Sequence, residues 1–152
     1  MKFKNAMLIV KDIDVSSKFY KDVLGLRVVC DFGDNKTLTG GLVLQTMDSY
    51  KELSGLEDIS FKSNSFEIYF EEDDFDAFVK KLEKMDISYV HQLIEHSWGQ
   101  KVIRFYDPDM HIIEVGENIK TVCLRFLNSG MTKEEVAKRM DVPLKFVESY
   151  MR

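Results

Sequence analysis

The chain is poor in the residues that staple, kink or metallate a protein: 152 residues hold 2 cysteines, 2 prolines, 3 histidines and 1 tryptophan. Cys30 and Cys123 lie in separate apolar runs with no CxxC, which excludes a disulfide framework; both read as reduced, buried thiols. No apolar run approaches the roughly 18–20 residues that span a bilayer, so no membrane partner is expected. There is no GxGxxG, no P-loop and no nucleophile elbow, and Ser, His and Asp do not occur at a diagnostic spacing. Met1–Asn5 run straight into a strand-like stretch without a charged-then-apolar leader, and the expectation is a cytoplasmic protein.

What is present is ordinary for a globular chain, with 45% hydrophobic and 31% charged residues, enough for one buried domain with a small appendage. The net charge of −5 is unevenly spread. From Ile119 onward seven Lys/Arg face four Asp/Glu, a net +3, which leaves −8 for residues 1–118. The acidic body repels nucleic acid, and the change of sign marks a boundary near residue 118.

The body holds one pattern twice. An apolar strand, Ala6 to Val10, is followed by Asp12 and Asp14 as candidate N-caps. A helix then carries Val15, Phe19, Tyr20, Val23 and Leu24, and Gly25 closes it. Strands are expected at Leu26–Asp31, Lys36–Thr39 and Leu42–Gln45, with Gly40-Gly41 as a tight turn between the last two. The second copy opens with a strand at Ser65–Phe70. An acidic turn follows, then a helix with Phe75, Phe78, Val79, Leu82 and Met85 on one face and Lys80, Lys81 and Lys84 near its end, as the helix dipole prefers. Its remaining strands are Ser88–Leu93, Lys101–Tyr106 and Ile112–Val115. Each half therefore reads β-α-β-β-β, and Asn5, Val10 and Phe19 match Ser65, Phe70 and Val79 at an offset of 60. The connection 48–64 is long for a compact domain, so it reads as functional or as a lid, with Leu53, Leu56, Ile59 and Phe61 free to pack over something.

The stretch Tyr106-Asp107-Pro108-Asp109-Met110-His111-Ile112-Ile113-Glu114-Val115 is strand, turn and strand. Pro108 fixes its own φ and Asp side chains bond turn backbone. Glu114 is the one charge in the following apolar run, and burying it requires a partner. His111 follows the turn and reads as a cap on it. His91 alternates with apolar neighbours and reads as a structural histidine, whereas His96, beside Trp98, is placed to reach a ligand.

The doubled βαβββ unit resembles the vicinal oxygen chelate superfamily of glyoxalase I, bleomycin-resistance proteins and extradiol dioxygenases. Val10-Lys11-Asp12-Ile13-Asp14 with Phe19-Tyr20-Lys21-Asp22-Val23-Leu24-Gly25 is similar to that family's opening, and Trp98-Gly99-Gln100 with Asp107-Pro108-Asp109 and Glu114 to its ending. The likeness covers residues 3–117, with Met110 where Gly is usual. It implies an α+β fold: two tandem βαβββ modules, 1–47 and 65–118, forming a curved mixed sheet around a cavity, with linker 48–64. It also implies a homodimer and a small-molecule ligand. Metal-using members take two ligands from each module, which carries over to Asn5, Gln45, Ser65 and Glu114. Only Glu114 is a strong donor, and Zn, Ni and Fe want several His, thiolate or carboxylate ligands. A weak divalent-metal site of amide oxygens and one carboxylate stays open, but no cofactor is expected.

Strand alternation sends Asn5, Met7, Ile9, Val43, Gln45, Ser65, Glu67, Tyr69, Ile112 and Glu114 toward the cavity, and Phe66, Ile68 and Phe70 toward the helices. Trp98 is available to stack on a flat ligand. Glu67 and Glu114 are the candidates for a catalytic base, with one carboxyl raised by its neighbour; the alternative gives Glu67 to solvent or Arg104.

Residues 119–152 read as a helical tail, a hairpin with a Thr132–Glu135 capping box. Asn128–Leu144 resemble a helix-turn-helix core. The last helix exposes only Lys145, Ser149 and Arg152 beside Glu148, a poor set for reading base edges, so packing on the body is favoured over nucleic acid. The favoured function is metal-free small-molecule binding. The alternatives are a divergent metal-dependent lyase, isomerase or dioxygenase, which leaves catalysis open, and a ligand-sensing DNA-binding regulator.

Overall fold

A computed structural model describes residues 1–151 and shows two four-stranded sheets with one strand order. The chain runs β1 (Ala6–Val10), α1 (Ile13–Leu24), β2 (Val28–Asp31), β3 (Asn35–Leu38), β4 (Leu42–Thr46), α2 (Met47–Ser54), β5 (Glu67–Glu72), α3 (Phe75–Leu82), β6 (Tyr89–Glu95), β7 (Lys101–Tyr106), β8 (Ile112–Glu117), α4 (Ile119–Asn128), α5 (Lys133–Met140) and α6 (Leu144–Ser149). The first sheet is ordered β1-β4-β3-β2 and the second β5-β8-β7-β6. The repeat read from the sequence is thus a repeat of topology, and the fold is α+β. The chain divides into two compact units, 1–66 with 106–112, and 67–105 with 113 onward.

In the first unit β1 runs parallel to β4, with Ile9 opposite Gln45, and β3 runs antiparallel to β4, with Asn35 opposite the same Gln45. Helix α1 begins where expected because Asp12 accepts hydrogen bonds from Asp14 N and Val15 N at 3.0 Å, and it ends at Gly25 with φ 72°. It buries Ser16, Tyr20 and Val23. The Asp107 turn belongs to this unit and is tied to the start of α1: Asp109 accepts from Lys11 N (3.1 Å) and Ser16 Oγ (3.2 Å). Met110 adopts φ 67°, the left-handed conformation that the glycine usual at this position would adopt without strain.

The connection 48–64 opens on a helix, α2, over Met47–Ser54. It lacks a side-chain N-cap and buries no residue, so neither capping nor periodicity announced it. Phe66 is not core but half exposed, because β5 starts at Glu67 and strand alternation does not reach back to it.

In the second unit Asp74 caps α3, which buries Phe75, Phe78 and Leu82. Along β5, Ile68 and Phe70 are the more buried and Glu67 and Tyr69 the more exposed, as alternation requires. Three helices follow β8. They share a small core of Val122, Cys123, Val136, Ala137, Met140 and Val147, and the Thr132–Glu135 capping box is formed. Arg125 ties this group to the β6–β7 turn through Gly99 O (2.7 Å) and to Glu117 (3.0 Å). Arg139 bonds Ser97 O, and both guanidiniums flank the Phe126 ring. No described helix is long and apolar enough to cross a membrane.

Candidate functional site

Glu114 has the partner that its burial demands. Its side chain is 8% exposed, and the Arg104 guanidinium forms an ion pair with its Oε2. The approach lacks hydrogen-bond geometry, so this oxygen is satisfied by charge rather than by direction. Arg104 Nε also donates to Glu67 at 3.0 Å, and Arg104 Nη1 lies 3.1 Å from His91 Nε2. A guanidinium can only donate, so His91 Nε2 accepts and its Nδ1 carries the proton, donating to Gln92 O at 2.8 Å. In strand order, β5, β8, β7 and β6 contribute Glu67, Glu114, Arg104 and His91. Arg104 is the hub of this row, and it pairs with both carboxylates.

The same unit holds a second polar chain. Tyr69 OH donates to Glu71 (3.1 Å) and accepts from Gln100 Nε2 (2.9 Å), while Trp98 Nε1 donates to Gln100 Oε1 (3.1 Å). Partial burial and the Glu71 charge raise the Tyr69 phenol above its ordinary range, against the Gln100 bond. Trp98 stacks on His96 with centroids 4.2 Å apart. Burial, then the Arg104 charge, lowers the His96 pKa.

Of the four positions where metal-using relatives bind, Asn5, Gln45 and Ser65 belong to the first unit and Glu114 to the second. Asn5 Nδ2 donates to Gly41 O (2.7 Å), and Ser65 Oγ bonds Ser63 Oγ (3.1 Å). Gln45 is buried, accepting from Asn35 Nδ2 (3.1 Å) and donating to Ser49 Oγ (2.9 Å). Two amides, a hydroxyl and one carboxylate already held by a guanidinium do not fit a transition metal. Among the described residues no three His, Cys, Asp or Glu side chains come together to hold a metal ion.

The first unit contains a cavity of about 270 Å³ against β1. Met7 and Ile9 line it, as alternation predicts, joined by Leu8. Its other walls are Ile59, Ser60, Phe61, Ser63, Phe66 and His111, none of them among the expected ligand contacts. The only signal for this wall was the apolar pair Ile59 and Phe61 in the connection. Val43 of β4 is buried and is not part of this wall. Within the wall-forming segment Lys62 and Asn64 have positive φ (59° and 56°), and Asn64 Oδ1 accepts from Tyr106 OH at 2.9 Å.

Behind His111 lies a buried network. Asp107 Oδ1 accepts from Asp109 N (2.9 Å) and His111 N (2.8 Å), and its Oδ2 accepts from Tyr20 OH (2.9 Å) and bonds His111 Nδ1 (2.8 Å). His111 therefore does cap the turn. Burial and the Asp107 charge hold the Tyr20 phenol protonated well above its ordinary range. Burial likewise raises Asp109.

Residues 3–120 match the profile of the family described as glyoxalase-like domain. A protein of unknown function from Agrobacterium tumefaciens str. C58 is 36% identical, with a TM-score of 0.71 over 78% of this chain and 95% of that one. A glyoxalase/bleomycin resistance protein/dioxygenase family enzyme from Burkholderia phytofirmans PsJN shares the fold at 17% identity and a TM-score of 0.63, over 75% and 96% of the two chains. A lactoylglutathione lyase from Agrobacterium tumefaciens shares it at 23% identity and 0.59, over 77% and 93%. No curated protein sequence matches.

Proposed function

The chain belongs to the glyoxalase-like domain family, and from that premise we propose that it binds a small molecule without a transition metal. The observation that carries the reading is the Arg104–Glu114 ion pair. Glu114 is the one strong donor at the family's metal positions, and its charge is spent on a guanidinium. Glu67 shares the same Arg104, which leaves both carboxylates poorly suited to act as bases. Burying the pair with a third partner, His91, makes it a structural element of the sheet face. The chain works as a cytoplasmic homodimer in this reading, and nucleic acid is not its ligand, because Arg125 and Arg139 are committed to internal contacts. Elemental analysis of the purified full chain tests the proposal. Far less than one equivalent of Ni, Zn, Fe or Mn is expected. About one equivalent, lost in Glu114→Gln, overturns it in favour of a metal-dependent lyase, isomerase or dioxygenase.

A further inference from the structure

The Asp107–His111 pair does more than close a turn. Asp107 is fully buried and, as a carboxylate, can only accept, so His111 Nδ1 must donate to it. In the neutral ring this leaves the lone pair on Nε2, at the opposite edge of an imidazole that forms part of the cavity wall. The ring's bond to Asp107 runs through Nδ1, on the side away from Nε2. The ring is held from behind by Asp107 and from the side by the edge of Phe61, with centroids 6.4 Å apart. Most of the remaining wall is apolar: Met7, Ile9, Ile59, Phe61 and Phe66. The other polar side chains of the wall are Ser60 and Ser63, the latter bonded to Ser65, so His111 is the one ring acceptor in a mostly apolar recess, an arrangement that fixes one polar group of a small ligand. The volume of about 270 Å³ lies just below the range for drug-sized ligands (roughly 300–1,000 Å³), so it suits a molecule of one or two rings.

We propose that this cavity binds a small apolar molecule carrying one hydroxyl, which donates its proton to His111 Nε2. The proposal rests on the small-molecule reading above and gives it a site and a ligand class. A hydroxyl is favoured over a carboxylate for a physical reason. A carboxylate cannot donate to the neutral ring, and it would bring a second negative charge toward buried Asp107. Lys11 Nζ lies 4.4 Å from the Phe61 ring centre and so holds that wall residue in place.

The test is equilibrium binding, at neutral pH, of 4-chlorophenol, which stays protonated there, and of 4-chloroanisole, its methyl ether, to the full chain. Wild type is expected to bind the phenol at least tenfold more tightly. In His111→Phe, which keeps an aromatic ring but has no acceptor, the two compounds should bind equally. In Met7→Trp, which fills the cavity from a half-exposed position away from the turn, both should weaken tenfold or more. Should His111→Phe fail to fold, the wild-type discrimination and the Met7→Trp loss still decide. The assignment is overturned by absence of saturable chlorophenol binding, by equal binding of the two compounds to wild type, by discrimination that survives His111→Phe, or by Met7→Trp binding as wild type does. Equal, saturable binding of both compounds would remove this assignment alone, whereas an equivalent of Glu114-dependent metal would remove the reading beneath it.

Discussion

The two sheets have one strand order but solve one problem with different chemistry. In the first unit the buried polar side chain of β4, Gln45, pairs with Asn35 of β3 through a neutral hydrogen bond of 3.1 Å. In the second, the buried polar side chain of β8, Glu114, pairs with Arg104 of β7 through charge. Ten residues separate the members of each pair, and both lie 69 residues apart between the copies. At these matched positions the partner lies on the adjacent strand in both copies, whereas Glu117 at the end of β8 takes Arg125 of α4. A neutral pair that loses one member leaves an unsatisfied group at a cost of about 1–3 kcal/mol, whereas a charged pair strands a buried ion at about 3–5 kcal/mol.

Breaking the charged pair should have the largest effect. Arg104→Met leaves Glu114 buried and unpaired, and unfolding in urea should report a loss of roughly 3 kcal/mol, the low end for a broken buried pair because Arg104 keeps 23% exposure. Combining Arg104→Asn with Glu114→Gln copies the first unit's pair and should restore at least half of that loss. A double variant no better than Arg104→Met would show that the two pairs are not equivalent.

The next effect lies at the tail's anchor. Gly99 has φ 88°, and a Cβ there would meet the Phe126 ring. Gly99→Ala should therefore cost about 2 kcal/mol from strain and overpacking. Gly130→Ala is the control: its φ is also positive (95°), but the space around it is open, so only the backbone cost of about 1 kcal/mol is expected. A turn residue in the first unit works in the opposite direction. Met110→Gly relieves a left-handed methionine and should stabilise by about 1 kcal/mol in the same urea assay.

The smallest effects distinguish the units by sign. Asp109, in the first, has a raised carboxyl pKa, so the native state binds more protons than the unfolded chain just above the ordinary value of 3.8, and its contribution falls as pH rises through that window. His96, in the second, has a lowered pKa, so its contribution falls as pH drops through the unfolded value of 6.5. Asp109→Asn should flatten the stability profile on the acid side and His96→Gln the profile near neutrality. Exchange of those two outcomes would show that the environments are assigned the wrong way round.

Local chemistry was legible in the sequence. The Asp12 cap, the Gly25 terminator and the Thr132–Glu135 box each depend on residues within one turn, and strand alternation placed Met7, Ile9, Glu67 and Tyr69 on one side of their strands. The need of Glu114 for a partner was legible as well. The identity of that partner is not legible, because Arg104 and Glu114 lie ten residues apart on neighbouring strands and strand alternation offers Arg104 equally to Glu67. The cavity wall was harder to foresee, since Phe61 meets His111 across 50 residues of chain, a contact no local pattern encodes. Helix α2 escaped notice for want of a cap or a buried face.

The central claim is that the charge of Glu114 is spent on Arg104 rather than on a metal. Thermal unfolding of the chelator-treated full chain, with Zn, Ni, Mn or Fe(II) added singly, tests it most directly, because an ion bound only by the native state must raise Tm, with about 2.7 kcal/mol gained at a hundredfold excess over Kd. The account predicts the same Tm with and without each metal, in wild type and in Glu114→Gln alike. A saturable rise in wild type that disappears in Glu114→Gln would contradict it.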